Sequence, residues 1–115
     1  MYKSKYRSKS IYVGDIKFQS KLEAKRYRQL TLLEKAGEIN ELQLQVPFLL
    51  QESFKKNGKT YRKIEYIADF VYKEDGQIVV EDTKGIKTDV FKIKQKLFEY
   101  KYPDLSLKII TREEI

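Results

Sequence analysis

At 115 residues, with 41% hydrophobic and 36% charged side chains, the chain is sized for one domain with a modest core and is more charged than an average globular protein. It contains no Cys and no His, which excludes disulfides, thiol nucleophiles, zinc fingers and His-based acid–base catalysis. Any metal must be held by oxygen ligands, which points to Mg²⁺, Mn²⁺ or Ca²⁺. No apolar run approaches the roughly 20 residues of a membrane span, and the basic N-terminus lacks the apolar stretch of a secretory signal. A cytoplasmic protein with no membrane partner is the expectation.

The formal net charge of +7 is concentrated. Residues 1–28 hold nine Lys/Arg against two acids, and the remaining 87 residues hold fifteen of each sign. A basic block of this kind suggests a polyanion partner, nucleic acid; a solvated tail that aids solubility is the plainer account.

Residues 1–10, MYKSKYRSKS, alternate cations with Tyr and Ser and show no hydrophobic period, so they read as a flexible basic arm ahead of a single domain over residues 11–115. Lys3, Lys5, Arg7 and Lys9 would meet phosphates while Tyr2 and Tyr6 stack on bases. Ile11 to Phe18 predicts a short hairpin turning at Gly14-Asp15. Ser20-Lys21-Leu22-Glu23 matches a capping box and opens a helix that Gly37 stops. Leu22, Tyr27, Leu30 and Leu33 share its apolar arc, with Glu23 inside that arc and Lys25 mostly outside it.

Glu41 to Phe54 alternates as a strand, and Pro47 predicts an edge position or a bulge. Asn57-Gly58 turns the chain into a strand that begins near Thr60. Ile64 to Gly85 then reads as a hairpin turning at Lys73–Gly76. Alternation puts Ile67, Asp69 and Val71 on one face and Tyr66, Ala68, Phe70 and Tyr72 on the other. On the second strand Asp82 and Lys84 share a face, and pairing brings Asp69 beside them, whereas Glu81 points away. Two carboxylates and an amine on an otherwise apolar face are costly unless something uses them. Thr88 or Asp89 caps a second helix whose expected buried arc is Val90, Ile93, Leu97 and Phe98, with Lys94 on the same arc. Pro103 ends it, and Leu105 to Ile110 is a final strand. The core order is helix, three antiparallel strands, helix, strand: an α/β (mixed α+β) fold with a mixed central sheet flanked by helices.

Asp69, twelve residues, then Asp82-Thr83-Lys84, set in that αβββαβ order, resembles the PD-(D/E)XK, or restriction-endonuclease-like, nuclease superfamily. The likeness is to its small phage-borne, uncharacterised branch near the Holliday-junction resolvases, and FQSKLEAKRY…LEKAGEI before the hairpin adds to it. Ala68 stands where the superfamily name has Pro, and Asp82 where Glu is commoner. The resemblance implies a Mg²⁺- or Mn²⁺-dependent endodeoxyribonuclease acting on branched or structured DNA, a homodimer, and host cytoplasm if phage-encoded. It implies Asp69, Asp82 and the Thr83 backbone carbonyl as metal ligands, Glu23 as the helix carboxylate completing the site, and Lys84 as the residue that orients or deprotonates the attacking water. Lys25 and Lys94 join the arm as nucleic-acid contacts.

Each residue also has a purely structural account. Asp69 can be a strand-end acid paired with a lysine, Asp82 and Lys84 a surface ion pair, Glu23 a capping-box acid, and Lys94 a lysine whose stem lies along the core edge. A nucleic-acid-binding protein that keeps the fold without cutting is the first alternative function, and a plain scaffold or interaction protein that binds no DNA is the second.

Overall fold

A computed structural model describes residues 11–112. Its tightest reversals fall where two successive residues adopt left-handed backbone angles. Asn57 and Gly58 have φ of 53° and 76°, and Asp75 and Gly76 have 52° and 77°, the pattern of the two-residue turns that suit the twist of paired strands. They join β4 (Phe54–Lys56) to β5 (Lys59–Tyr61) and β6 (Ile64–Glu74) to β7 (Gln77–Thr83). A smaller hairpin, β1 (Ile11–Val13) and β2 (Ile16–Phe18), turns at Gly14-Asp15 as expected.

Helix α1 (Lys21–Lys35) begins where Ser20 Oγ accepts the Glu23 N–H at 3.1 Å. It ends in a Schellman arrangement: Gly37, at φ 81°, donates to Glu34 and Glu38 donates to Leu33. Helix α2 (Asp89–Lys101) is capped by Thr88, whose Oγ1 accepts the Phe91 N–H at 3.1 Å. Between and beyond them lie β3 (Asn40–Gln51) and β8 (Ser106–Ile110).

The main sheet has the order β3-β6-β7-β8, with β3, β6 and β7 antiparallel and β8 parallel to β7. This is the predicted mixed α+β architecture. Pro47 lies on edge strand β3, paired with Ile67, and the register shifts of β3 fall elsewhere. The strand expected from Glu41 to Phe54 divides at Glu52-Ser53, so β4–β5 forms a separate two-stranded sheet.

The core has two parts on opposite sheet faces. Phe18, Ala24, Leu30 and Ile39 pack with Phe70, Tyr72 and Val79, under α1. Phe91 and Phe98 of α2 pack with Tyr66, Ala68, Val71 and Val80. Neighbours Val79 and Val80 go to different clusters, as strand alternation requires. Strand β6 breaks the rule. Tyr66 and Ala68 belong with α2, but Phe70 and Tyr72 belong with α1, so the four do not share a face as the sequence predicted. The change occurs at Asp69. On β3 it is matched at Gln45, which lies between the paired rungs Leu44–Phe70 and Val46–Ala68 and has φ 52°.

Helix α2 is rotated from its predicted arc, whereas α1 keeps Glu23, Tyr27 and Leu30 against the core as expected. On α1 the buried residues are Glu23, Ala24 and Leu30, and Leu33 is exposed. On α2 they are Phe91 and Phe98, seven residues apart, and Val90, Ile93 and Leu97 are exposed. The apolar positions of α2 define two overlapping arcs, and the one with both phenyl rings removes more apolar area from water. Phe98 meets Phe48, Tyr66 and Tyr102 with centroids 5.1 to 5.4 Å apart. Phe98→Ala should therefore lower stability in urea unfolding by about 3–5 kcal/mol. Leu97→Ala, at a 39% exposed position, should cost no more than about 1 kcal/mol. Equal losses would mean that α2 packs through the other arc.

Candidate functional site

Ladder pairing between β6 and β7 runs from Glu74–Gln77 to Phe70–Glu81, and side chains take over at the next rung. Asp82 Oδ1 accepts the Asp69 N–H at 3.2 Å, and Asp69 Oδ2 accepts both the Thr83 N–H at 2.9 Å and the Thr83 hydroxyl at 2.8 Å. Two carboxylates thus satisfy backbone donors where the strands separate, a use for which the short Asp side chain is suited. The predicted trio meets here: Lys84 Nζ lies 3.4 Å from Asp82 Oδ2 and 4.4 Å above the Phe91 ring.

Asp82 is 2% exposed. Its carboxyl is pushed up to about 7, chiefly by burial, then by the charge of Asp69 and its hydrogen bonding with Asp69. Tyr66, whose hydroxyl donates to Asp82 Oδ2 at 2.6 Å, and Lys84 pull the other way. Burial followed by the nearby Asp82 raises the Tyr66 hydroxyl, which keeps it a donor.

Glu23 joins less directly. The Ser20 cap holds its backbone, and its carboxylate turns inward to Gln45, whose Nε2 donates to Glu23 Oε2 at 2.9 Å and to Asp69 Oδ1 at 3.2 Å. Burial first, then the Asp69 charge, raises the Glu23 carboxyl. Glu23 and Gln45 line a cleft with Ile16, Phe18 and Leu44, while Asp82, Lys84 and Lys94 line another with Tyr66, Thr88 and Phe91. Asp69 is bonded to both groups.

Of the expected nucleic-acid contacts, Lys94 is at the rim of the Asp82 cleft, and Lys25 lies apart from it in a hollow with Lys21, Leu22 and Arg112. Lys3, Lys5, Arg7 and Lys9 lie outside the described residues. Thr83 is in contact with the site through the two bonds it gives Asp69. Among the described residues no group of three acidic side chains is arranged to hold a metal.

Glu81 points to the face opposite Asp82, as alternation requires. It is completely buried, and Arg26 meets it with two bonds, Nε to Oε1 at 2.8 Å and Nη2 to Oε2 at 2.6 Å, while the Tyr72 hydroxyl also donates to Oε2. This buried pair ties α1 to β7 next to Glu23. Removing Arg26 would strand a buried charge, which typically costs several kcal/mol.

Three participants were not foreseen. Regular alternation would have placed Tyr66 on the far side from Asp82, so nothing local marked it. Gln45 was marked only as a polar residue within the alternating LQLQVP run. Arg26 was one cation among nine in a basic stretch, and its partner lies 55 positions away.

Fold and site define a mixed α+β protein carrying a coupled Asp–Asp–Lys cluster where two antiparallel strands part. The chain belongs to a family described as "Protein of unknown function (DUF1064)", whose model matches residues 3–114. No curated protein matches the chain. A solved structure titled "Crystal structure of SSO0001" overlaps it with a TM-score of 0.42 at 17% identity, covering 79% of this chain and 45% of that one. The chain therefore spans less than half the length of that neighbour.

The raised carboxyl of Asp82 sets a sign for stability. Its folded value of about 7 lies above the ordinary 3.8, so the folded chain binds the extra proton between these limits. The stabilisation is complete below about pH 4 and is lost as pH rises through about 7. Glu23 shifts in the same direction. In chelator-treated protein, Asp82→Asn should unfold later than wild type at pH 8 and show a smaller advantage near pH 5. Parallel melting curves over that range would mean that Asp82 ionises freely.

Proposed function

We propose that this protein is a metal-dependent DNA endonuclease of the PD-(D/E)XK kind, hydrolysing phosphodiester bonds in branched or otherwise structured DNA. The reading is carried by one observation: Asp82 and Lys84 line one cleft with Asp69 hydrogen-bonded beside them, and Asp82 is buried without the bidentate arginine that its neighbour Glu81 has.

The donor set fits a hard divalent ion such as Mg²⁺ or Mn²⁺, which takes one or two carboxylates and fills its shell with water and phosphate oxygens. Asp69 and Asp82 would hold it, and the Thr83 carbonyl is the further ligand the family likeness implies. When bound, the ion supplies charge neutralisation at the phosphate and a lowered pKa for water. Lys84 holds its ammonium at the cleft mouth, where it can orient the attacking water or stabilise negative charge building on phosphorus oxygens. Tyr66 and Thr83 fix the two carboxylates, so little reorganisation accompanies the reaction. Glu23, through Gln45, sets the orientation of Asp69. Two symmetric cuts in a branched substrate call for two copies of the site, so a homodimer belongs to this proposal.

One observation favours the second reading, a nucleic-acid-binding protein that does not cut. All four carboxylate oxygens of Asp69 and Asp82 already accept protein donors, and Asp69 Oδ2 accepts two. Such bonds could equally serve only to close the end of the ladder.

The test is incubation with Mg²⁺ or Mn²⁺ on linear duplex, closed single-stranded circle, flap and four-way junction. Wild type should cut the junction or flap. Asp82→Asn and Lys84→Ala should each cut at least about a hundredfold more slowly, with circular dichroism and DNA affinity retained. Cutting of the closed circle would keep the nuclease and remove the branched substrate. An Asp82→Asn variant that cuts as well as wild type would refute the site. Tight binding with no cutting of any substrate would establish the second reading.

A further inference from the structure

Burial does not explain the existence of the β4–β5 ribbon. Every residue from Gln51 to Lys63 is exposed, and isolated two-stranded hairpins are marginal in water. What holds it is a cross-strand pair: Phe54 is opposite Tyr61, their rings stack with centroids 4.8 Å apart at 10°, and Lys59 Nζ lies 5.1 Å over the Tyr61 ring.

Its charge works against it. Phe54 to Lys63 contains Lys55, Lys56, Lys59, Arg62 and Lys63 and no acid. Lys56 and Lys59 are directly opposed at the tip, a like-charge pairing that destabilises a hairpin. Lys63 has a partner in Glu65 at 3.2 Å. Among the described residues, no carboxylate lies within ion-pair distance of Lys55, Lys56, Lys59 or Arg62. A ribbon that opposes two lysines and buries nothing has the features of a polyanion contact.

We infer that β4–β5 is a double-stranded DNA contact that grips backbone phosphates through Lys55, Lys56, Lys59 and Arg62, away from the Asp82 cleft. This rests on the reading of the protein as one that acts on DNA. A two-stranded ribbon fits the roughly 12 Å width of a major groove. The recognising groups are four cations directed at phosphates, a contact that supplies affinity and position. The stacked rings stiffen the ribbon, which keeps its tip cations at a fixed spacing.

The measurement is fluorescence anisotropy with a labelled linear duplex over 50–200 mM salt, in chelator so that no cutting occurs. One variant carries Lys55→Gln, Lys56→Gln, Lys59→Gln and Arg62→Gln. A second removes the same charge elsewhere through Lys92→Gln, Lys96→Gln, Lys101→Gln and Lys108→Gln, all exposed positions. Each lost phosphate contact should flatten the plot of log affinity against log salt by about 0.9. The ribbon variant should lose about 2–4 of slope and bind about ten- to a hundredfold more weakly at 100 mM salt. The second variant should keep the wild-type slope. Equal losses in both variants would reduce the ribbon to generic charge and overturn the assignment, as would an unchanged ribbon variant. A loss seen on single-stranded DNA alone would overturn the duplex assignment. Wild type that binds no duplex at low salt would sink both this inference and the DNA-directed function. Ribbon-dependent binding in a protein that cuts nothing would leave the ribbon standing and remove only the nuclease.

Discussion

The structure depends on the exchange of bonds between Asp69 and Asp82 at the point where β6 and β7 cease to pair. Beyond Phe70–Glu81 the backbone donors of Asp69 and Thr83 are met by carboxylates from the opposite strand. Unsatisfied, either donor would cost on the order of 1–3 kcal/mol. Satisfying them this way puts two acids side by side, one of them almost fully buried. The separation of the strands, the opening of a cleft and the electrostatic tension within it therefore have a single origin. The change of face at Asp69 belongs to the same event, since it lets Tyr66 come over to Asp82 and lets Phe70 and Tyr72 turn to α1.

That origin also explains what could be read from the sequence. Local signals were reliable: the Ser20 and Thr88 caps, the Gly37 stop and the turns at Asn57-Gly58 and Asp75-Gly76 are specified by residues within a few positions. Strand order followed from them, and the Asp69, Asp82 and Lys84 grouping from period-two alternation. Alternation failed where β6 and β3 change faces at Asp69 and Gln45, which hid Tyr66 and gave Gln45 its left-handed φ without warning. The face of α2 was misjudged for a different reason. The apolar residues of α2 support two arcs, and only the opposing sheet, with Phe48 and Tyr66 waiting, selects Phe91 and Phe98. Long-range pairing such as Arg26 with Glu81 leaves no local trace.

A summed charge hides its local distribution. From residue 29 onward the chain is neutral, with fifteen charges of each sign, and a neutral segment suggests no polyanion surface. The fold separates what the sum conceals. Lys55, Lys56 and Lys59 and no acid fall on a ribbon that carries no core residue, and Arg62 and Lys63 follow it directly. Topology matters more than the total here: the division of the predicted long strand at Glu52-Ser53 is what detaches the ribbon from the main sheet.

Glu81 and Asp82 form a comparison within one strand. They are adjacent, both buried, and both hydrogen-bonded by a tyrosine, Tyr72 and Tyr66 respectively. For Glu81 the fold provides a bidentate guanidinium, the geometry that best repays desolvation of a carboxylate. Asp82 receives a single ammonium at 3.4 Å that is also engaged over Phe91, with a second acid beside it. A chain under selection for stability alone had an available solution one residue away. Asp82 is therefore left less neutralised than Glu81 while lining a cleft, which is where the proposed cation and phosphate would sit.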